Sequence, residues 1–246
     1  MMPLLLRCVV CFALGSIPFA IISMLGTSID IRKVGSGNPG FNNVLRVDKK
    51  RAVLALVGDM GKGYLAVWLV YRYFPLPSVP LGLDAVALGW IYGFAVVLGH
   101  CFSPLLKFNG GKGIATSGGV MLVLYPLWAV VALAYFGAAR ILLGKRKARE
   151  AGTIASLTTW MLFTILMLAF VGRQHAYYAL VMTLFLAGRH KKNLSSLLAA
   201  PTSSDMAGEQ LSSKTPAKMD SRPGSRFEQD DRSEDRVGEG IEQGGV

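Results

Sequence analysis

The chain has 246 residues, of which 52% are apolar and only 17% charged, with a mean hydropathy of +0.43. That balance excludes an ordinary soluble domain. The formal net charge is +11, but the basic residues stand between apolar runs, where they set topology, meet anionic headgroups or hold a phosphorylated substrate rather than nucleic acid.

Apolar runs occupy about 3–25, 52–74, 79–100, 114–139, 153–172 and 175–188, and about 20 residues cross a bilayer core as a helix. The first run carries Arg7 and is long, which favours a retained span over a cleaved signal. Cys8, Cys11 and Cys101 are too few for a disulfide framework and read as small core side chains. The segment 32–51 holds Arg32, Lys33, Arg46, Lys49, Lys50 and Arg51, so it belongs on the cytoplasmic side.

The fourth run has Pro126 near its middle. A single crossing strands Arg140, Lys145, Arg146, Lys147 and Arg149 outside. A return at Pro126 instead places 16 of the 20 basic residues of 1–200 inside and the N-terminus outside. That reading predicts an all-α integral membrane protein of about seven transmembrane or half-spanning helices with cytoplasmic-side polar loops; six spans is the alternative. Its two halves of the fourth run, about 13 residues each, reach roughly 20 Å.

Residues 1–200 balance at +15 and form one polytopic domain. Residues 201–246 carry ten acidic and six basic residues, a balance of −4. This polar stretch lacks apolar periodicity and is expected to be a disordered cytoplasmic tail.

The topology brings three polar segments to one face. The first is Gly35-Ser36-Gly37-Asn38-Pro39-Gly40-Phe41-Asn42-Asn43, closed by Arg46. Its glycines allow backbone N–H groups to converge on an anion, its asparagines supply amide donors, and Arg46 can fork onto a phosphate. Glycine and asparagine alone favour a turn-rich connector; Arg46, the cytoplasmic assignment and the two later segments reverse that order. The second is Gly110-Gly111-Lys112-Gly113, opening a helix near Ile114 with Thr116 on its first turn, an anion site at a helix start. A nucleotide P-loop is excluded, because Leu106 and Gly113 replace the required Gly and Ser/Thr. The third is Arg189-His190-Lys191-Lys192-Asn193, also readable as a basic juxtamembrane stop. Within the second apolar run, Asp59 and Lys62 share a helix face as a structural ion pair or a site element.

In this order the segments resemble the bacterial acyl-phosphate:glycerol-3-phosphate acyltransferases over about residues 8–195. The match rests on Gly35-Ser36-Gly37-Asn38-x-Gly40-x-x-Asn43-x-x-Arg46, Asp59-x-x-Lys62-Gly63, Gly99-His100, Phe108-x-Gly110-Gly111-Lys112-Gly113-x-Ala115-Thr116 and Arg189-His190-x-x-Asn193. Departures are Asn42 in place of the usual Thr, Pro104 one position late, and Ser195-Ser196 with Ala199-Ala200 in place of the usual ending. The resemblance implies a multi-pass enzyme of the bacterial cytoplasmic membrane that moves a fatty acyl group from acyl phosphate to the 1-hydroxyl of glycerol 3-phosphate. Lysophosphatidate and inorganic phosphate result, with no cofactor or metal. A soluble enzyme supplying acyl phosphate is the further partner it implies.

The expected catalytic set is Ser36, His190 and Asn193. Phosphate binding falls to Gly35, Gly37, Asn38, Gly40, Asn43, Arg46, Gly110, Gly111, Lys112, Gly113 and Thr116, with Asp59, Lys62, His100 and Arg189 in support. No histidine begins an H-x-x-x-x-D pair, since Leu105, Leu180 and Ser195 stand five places after His100, His175 and His190. His190 is then the base or the hydroxyl positioner, unless the donor phosphate accepts the proton. Which loop takes which phosphate stays open. The rival class is a transporter of phosphate or a phosphorylated organic anion, and a silent membrane scaffold is a third reading.

Overall fold

The computed structural model describes residues 4–74, 83–144 and 151–198. The expected tail at 201–246 and the basic residues 145–149 lie outside them. All regular elements among the described residues are helical. Five helical stretches, Leu4–Ile22, Lys49–Tyr73, Ala85–Leu106, Pro126–Leu143 and Ala151–Val171, are long and apolar enough to cross a membrane.

The first stretch is broken. Helix α1 (Leu4–Gly15) stops before Pro18, and the short α2 (Phe19–Ile22) follows, because proline cannot donate to the preceding turn. The freed Ile17 carbonyl accepts from Lys62 Nζ at 2.6 Å. A single turn, α3 (Phe41–Val44), leads to α4 (Lys49–Tyr73), whose Asp48 cap accepts the Arg51 N–H. Helix α5 (Ala85–Cys101) is capped in the same way by Asp84, each cap meeting an orphan donor of the first turn.

The fourth apolar run reverses, as its charge pattern predicts. Helix α6 (Ile114–Leu124) ends at Tyr125 (φ −144°, ψ 65°), and α7 (Pro126–Gly144) begins at the proline, which drives its predecessor out of helical geometry. A Cβ on Gly118 would lie 3.8 Å from Leu133 Cδ2. In one continuous helix those positions would stand about 22 Å apart, so α6 and α7 form a hairpin. The halves are unequal, however: 11 residues in α6 and 19 in α7. The expectation of two equal halves ended the run before Arg140, but Ile141, Leu142 and Leu143 extend the helix to Gly144.

Helix α8 (Ala151–Leu166) passes through a π turn at Met167–Val171, and α9 (Arg173–Arg189) and α10 (Lys191–Leu198) complete the described chain. Tyr125, at the α6–α7 corner, accepts from Trp90 Nε1 at 2.9 Å and bonds His175 Nδ1 at 2.7 Å. This ties α5 and α9 to the corner.

Two helix crossings bring backbones into contact and thereby place the polar segments. A Cβ at Gly15 would fall 2.0 Å from Val96 O, and one at Gly99 would fall 2.0 Å from Phe12 O, which locks α1 on α5. Gly63 against Thr116 O and Gly119 against Met60 O do the same for α4 and α6. Close packing through small residues is the means available where apolar burial does not favour one helix pair over lipid. The outward faces carry Leu54, Val57, Leu127, Val130, Ile165 and Leu184, all exposed, as a lipid-facing surface requires.

Candidate active site

A cavity of about 450 Å³ opens among α3, α4, α6, α7, α8 and the α9–α10 junction. Its mouth carries Ser36, Asn38, Arg46, Lys112, His190 and Asn193; the helical walls beneath are mostly apolar, with Leu56, Met60, Met121, Leu133, Phe136 and Trp160. All three sequence segments therefore meet at one place.

The first segment is a loop closed by its own side chain. Asn43 Nδ2 donates to Ile31 O at 2.9 Å and Val34 O at 3.0 Å, while its Oδ1 accepts the Ser36 N–H at 3.0 Å. Both amide hydrogens are thus used inside the loop. Asn43, expected at the phosphate, is on the cavity wall and spends these bonds on shaping the loop. Gly35 and Gly37 take φ +57° and +68°, values that L side chains rarely adopt. A Cβ at Gly35 would also strike Asn43 Oδ1 at 2.3 Å. Neither Gly35 nor Gly37 is on the cavity wall; they turn the chain so that Ser36 and Asn38 are.

The second segment is held from outside. Gly111 N–H donates to His100 O and Gly110 N–H to Cys101 O. Arg189 Nη2 reaches Gly111 O at 3.0 Å and Cys101 O at 3.3 Å, and its guanidinium lies 4.8 Å from the centre of the Phe102 ring. A Cβ on Gly111 would be 2.2 Å from His100 Nε2 and 3.1 Å from Pro39 O, so the two loops abut there. Gly113, at φ +88°, turns the chain into α6. Of this segment Lys112 and Gly113 reach the cavity, whereas Gly110 and Gly111 do not.

Thr116 was expected on the phosphate. It is fully buried, its backbone pressed on Gly63, and it is absent from the cavity wall. On a helix start that packs this closely on α4, the first-turn hydroxyl points where the crossing dictates. Of the residues expected in support, Arg189 and Lys62 lie behind the wall, and Asp59 and His100 are on it. Lys62 Nζ and Asp59 Oδ1 are 2.9 Å apart, close enough for an ion pair though out of line for a hydrogen bond, and His100 Nδ1 stands 3.4 Å from the same oxygen.

The third segment breaks at His190 (φ −98°, ψ 5°), and the His190 carbonyl starts α10 by accepting from Asn193 and Leu194 N–H. The helix does not continue straight, yet both side chains face the cavity. Lys112 Nζ donates to Asn193 Oδ1, which links the second and third segments. Burial, with Arg46 and Arg189 adding to it, lowers the Lys112 ammonium to about 8. Burial lowers His190 to about 4, the Leu186 bond opposing and the Lys112 and Arg189 charges reinforcing that shift. His190 is therefore neutral near pH 7. A carbonyl can only accept, so the 2.8 Å contact with Leu186 O puts the proton on Nδ1 and leaves Nε2 as an acceptor.

Several wall residues escaped the sequence reading. Thr153, Ser156 and Thr159 line the cavity from α8; their three-residue spacing inside an apolar run was the available signal. Ser156 and Thr159 donate back to Gly152 O and Ala155 O, which leaves acceptor capacity toward the cavity. Arg140, read for topology alone, lies on the wall from α7. Asn42 packs against Gly152, and its Oδ1 has no hydrogen-bond partner among the described residues.

A bundle of helices long and apolar enough to cross a membrane, around one cavity with cationic and amide side chains at one end, defines a helical integral membrane protein. The particular family follows from comparison. The family model described as glycerol-3-phosphate acyltransferase matches residues 5–200, and the chain belongs to that family. It is 36% identical over 214 residues to a glycerol-3-phosphate acyltransferase of Burkholderia orbicola, covering 82% of this chain and 93% of the relative. It is 37% identical over 210 residues to one of Laribacter hongkongensis, covering 83% and 96%. Among solved structures it resembles PlsY (YgiH), an integral membrane glycerol 3-phosphate acyltransferase, in its glycerol 3-phosphate form. There the TM-score is 0.66 and the identity 31%, over 79% of this chain and 92% of that one. The lysophosphatidic acid form of PlsY aligns with a TM-score of 0.65 and 29% identity, over 79% and 91%.

Proposed function

We propose that the chain transfers a fatty acyl group from acyl phosphate to the 1-hydroxyl of glycerol 3-phosphate in a bacterial cytoplasmic membrane. The products are lysophosphatidate and inorganic phosphate. The observation that carries this reading is a cavity with the two glycine-rich loops, Arg46 and Lys112 at its mouth and mostly apolar walls beneath. Two phosphorylated substrates need the former, and an acyl chain needs the latter.

Ser36, Arg46 and Lys112 supply donors for phosphate and carbonyl oxygens. His190 Nε2 accepts from the attacking hydroxyl, with Asn193 held beside it through Lys112. The hydroxyl oxygen forms a bond to the acyl carbon, the bond from that carbon to the phosphate oxygen breaks, and phosphate leaves with its electron pair. With His190 held at about 4, it is a weak base that orients the hydroxyl better than it removes the proton; the departing phosphate is the stronger acceptor. The rate then rests on positioning and on charge stabilisation at the carbonyl oxygen. In this reading the polar loops face the cytoplasm, where glycerol 3-phosphate and the soluble enzyme supplying acyl phosphate both reach the mouth.

Purified protein given labelled glycerol 3-phosphate should form lysophosphatidate with acyl phosphate and none with acyl-CoA. Ser36→Ala and His190→Ala, checked for folding, should each lower the rate by about 10²-fold or more. Product from acyl-CoA alone rejects the donor, and no product from either rejects the reaction. A reporter fused after residue 145 should behave as cytoplasmic; a signal from the other side rejects the orientation.

A further inference from the structure

Trp160 is the last cavity residue along α8, and we infer that it is the stop that sets the length of acyl chain this chain accepts. The inference rests on the acyl-transfer reading above and adds a specificity determinant to it.

Each helix of the wall enters the cavity from the end that bears the polar loops. Along α8 the cavity residues run Gly152, Thr153, Ser156, Thr159 and Trp160; along α6, Ile114, Ala115, Gly118 and Met121. Along α8 the largest side chain comes last. From Gly152 to Trp160 the helix rises about 12 Å, well short of an extended sixteen-carbon chain. Trp160 is 2% exposed and is fixed on several sides. Its Nε1 donates to Ser117 Oγ at 3.2 Å across to α6, and its ring meets Phe163 edge-on at 5.5 Å. Its carbonyl accepts from Thr164 Oγ1 at 2.9 Å and from Thr183 Oγ1 of α9 at 3.3 Å. An indole bonded to the facing helix has no second rotamer without giving up a buried hydrogen bond, so it cannot swing aside for a longer chain as a leucine or methionine could.

The facing wall is open beside this indole. Gly118 adjoins Ser117, and a Cβ there would find Leu133 Cδ2 at 3.8 Å and Met60 Cε at 3.9 Å, ordinary contact distances. A small side chain at 118 is thus accommodated, and its bulk takes up cavity space near the indole. Trp160 and Gly118 are levers of opposite sign on one length.

The test measures kcat/KM of the purified full chain for saturated acyl phosphates from ten to eighteen carbons, with labelled glycerol 3-phosphate. The expected wild-type profile falls at the long end. Trp160→Ala should raise the ratio of eighteen-carbon to twelve-carbon kcat/KM by about ten-fold, and Gly118→Val should lower it by a similar factor, since a methylene or two misfitted in an apolar pocket is worth that much. An unchanged ratio in folded Trp160→Ala overturns the inference. If that variant does not fold, Gly118→Val decides alone: a shift toward shorter chains supports the stop, and an unaltered profile overturns it. A wild-type chain inactive with every donor overturns the acyl-transfer reading and the stop together, whereas activity with unaltered ratios removes the stop alone.

Discussion

The two glycine-rich loops at the mouth are held by opposite means. The loop from Gly35 to Asn43 is closed from within: one asparagine side chain spends both amide hydrogens on Ile31 O and Val34 O and its oxygen on Ser36 N–H, all within twelve residues. The loop from Gly110 to Gly113 has no such staple. Its carbonyls are gathered by Arg189, which arrives from α9 nearly eighty residues later in the chain, and its floor is the His100 ring. The first loop is shaped by local chemistry and then docked. The second takes its shape from the docking itself, through Arg189 of α9 and His100 of α5.

Arg189→Ala should break this contrast most visibly. With the remote tie gone, Lys112 and the loop it stands on shift, and a misplacement of about 1 Å lowers kcat/KM by about 10²-fold. Arg189→Lys keeps the charge but not the fork across several carbonyls, so it should recover only part of that loss. If both variants match wild type in the acyl-transfer assay, the second loop holds itself. Asn43→Ala acts on the other loop and should lower stability by about 2 kcal/mol, because buried carbonyls lose their donor. Thermal unfolding in detergent measures it; a shift under half a kcal/mol would show that the loop is shaped without its staple.

The smallest effect is one of pH. Lys112 is held at about 8, below its ordinary value, by burial and by Arg46 and Arg189. It is charged below that pH and neutral above, so anion affinity falls as pH rises through it. KM for whichever substrate sets its phosphate against Lys112, acyl phosphate or glycerol 3-phosphate, should climb a few-fold between pH 7 and 9. Lys112→Arg, charged throughout, should give a flat KM over that interval. A wild-type KM independent of pH would place the binding charge elsewhere.

Much of the mouth was readable from residue types. Ser36, Asn38, Arg46, Lys112, His190 and Asn193 all reach one cavity, because each lies in a short stretch whose composition fits no regular apolar helix. Residue type left some contacts open. Asn43 and Thr116 carry groups that suit a phosphate equally well as a loop carbonyl or a helix crossing; for Asn43 the nearby Ile31 and Val34 carbonyls take its amide hydrogens, and for Thr116 the distant Gly63 sets its place. The glycines followed the same rule: Gly35 and Gly37 serve the site by their backbone turns without touching its space. The reversal at Pro126 was legible because charge and proline agreed on it, whereas the true end of α7 was hidden by Arg140, a basic residue that sits within a helix rather than after one.

Composition and order therefore determined that this chain spans a membrane, where its helix breaks fall and which segments carry its polar chemistry, since hydropathy, proline and charge act over a few residues at a time. The cavity's apolar depth, the tie from Arg189 to the second loop and the indole beneath the mouth were decided by tertiary structure. Each needs side chains from three or more helices to converge, and no local pattern in the sequence specifies that convergence.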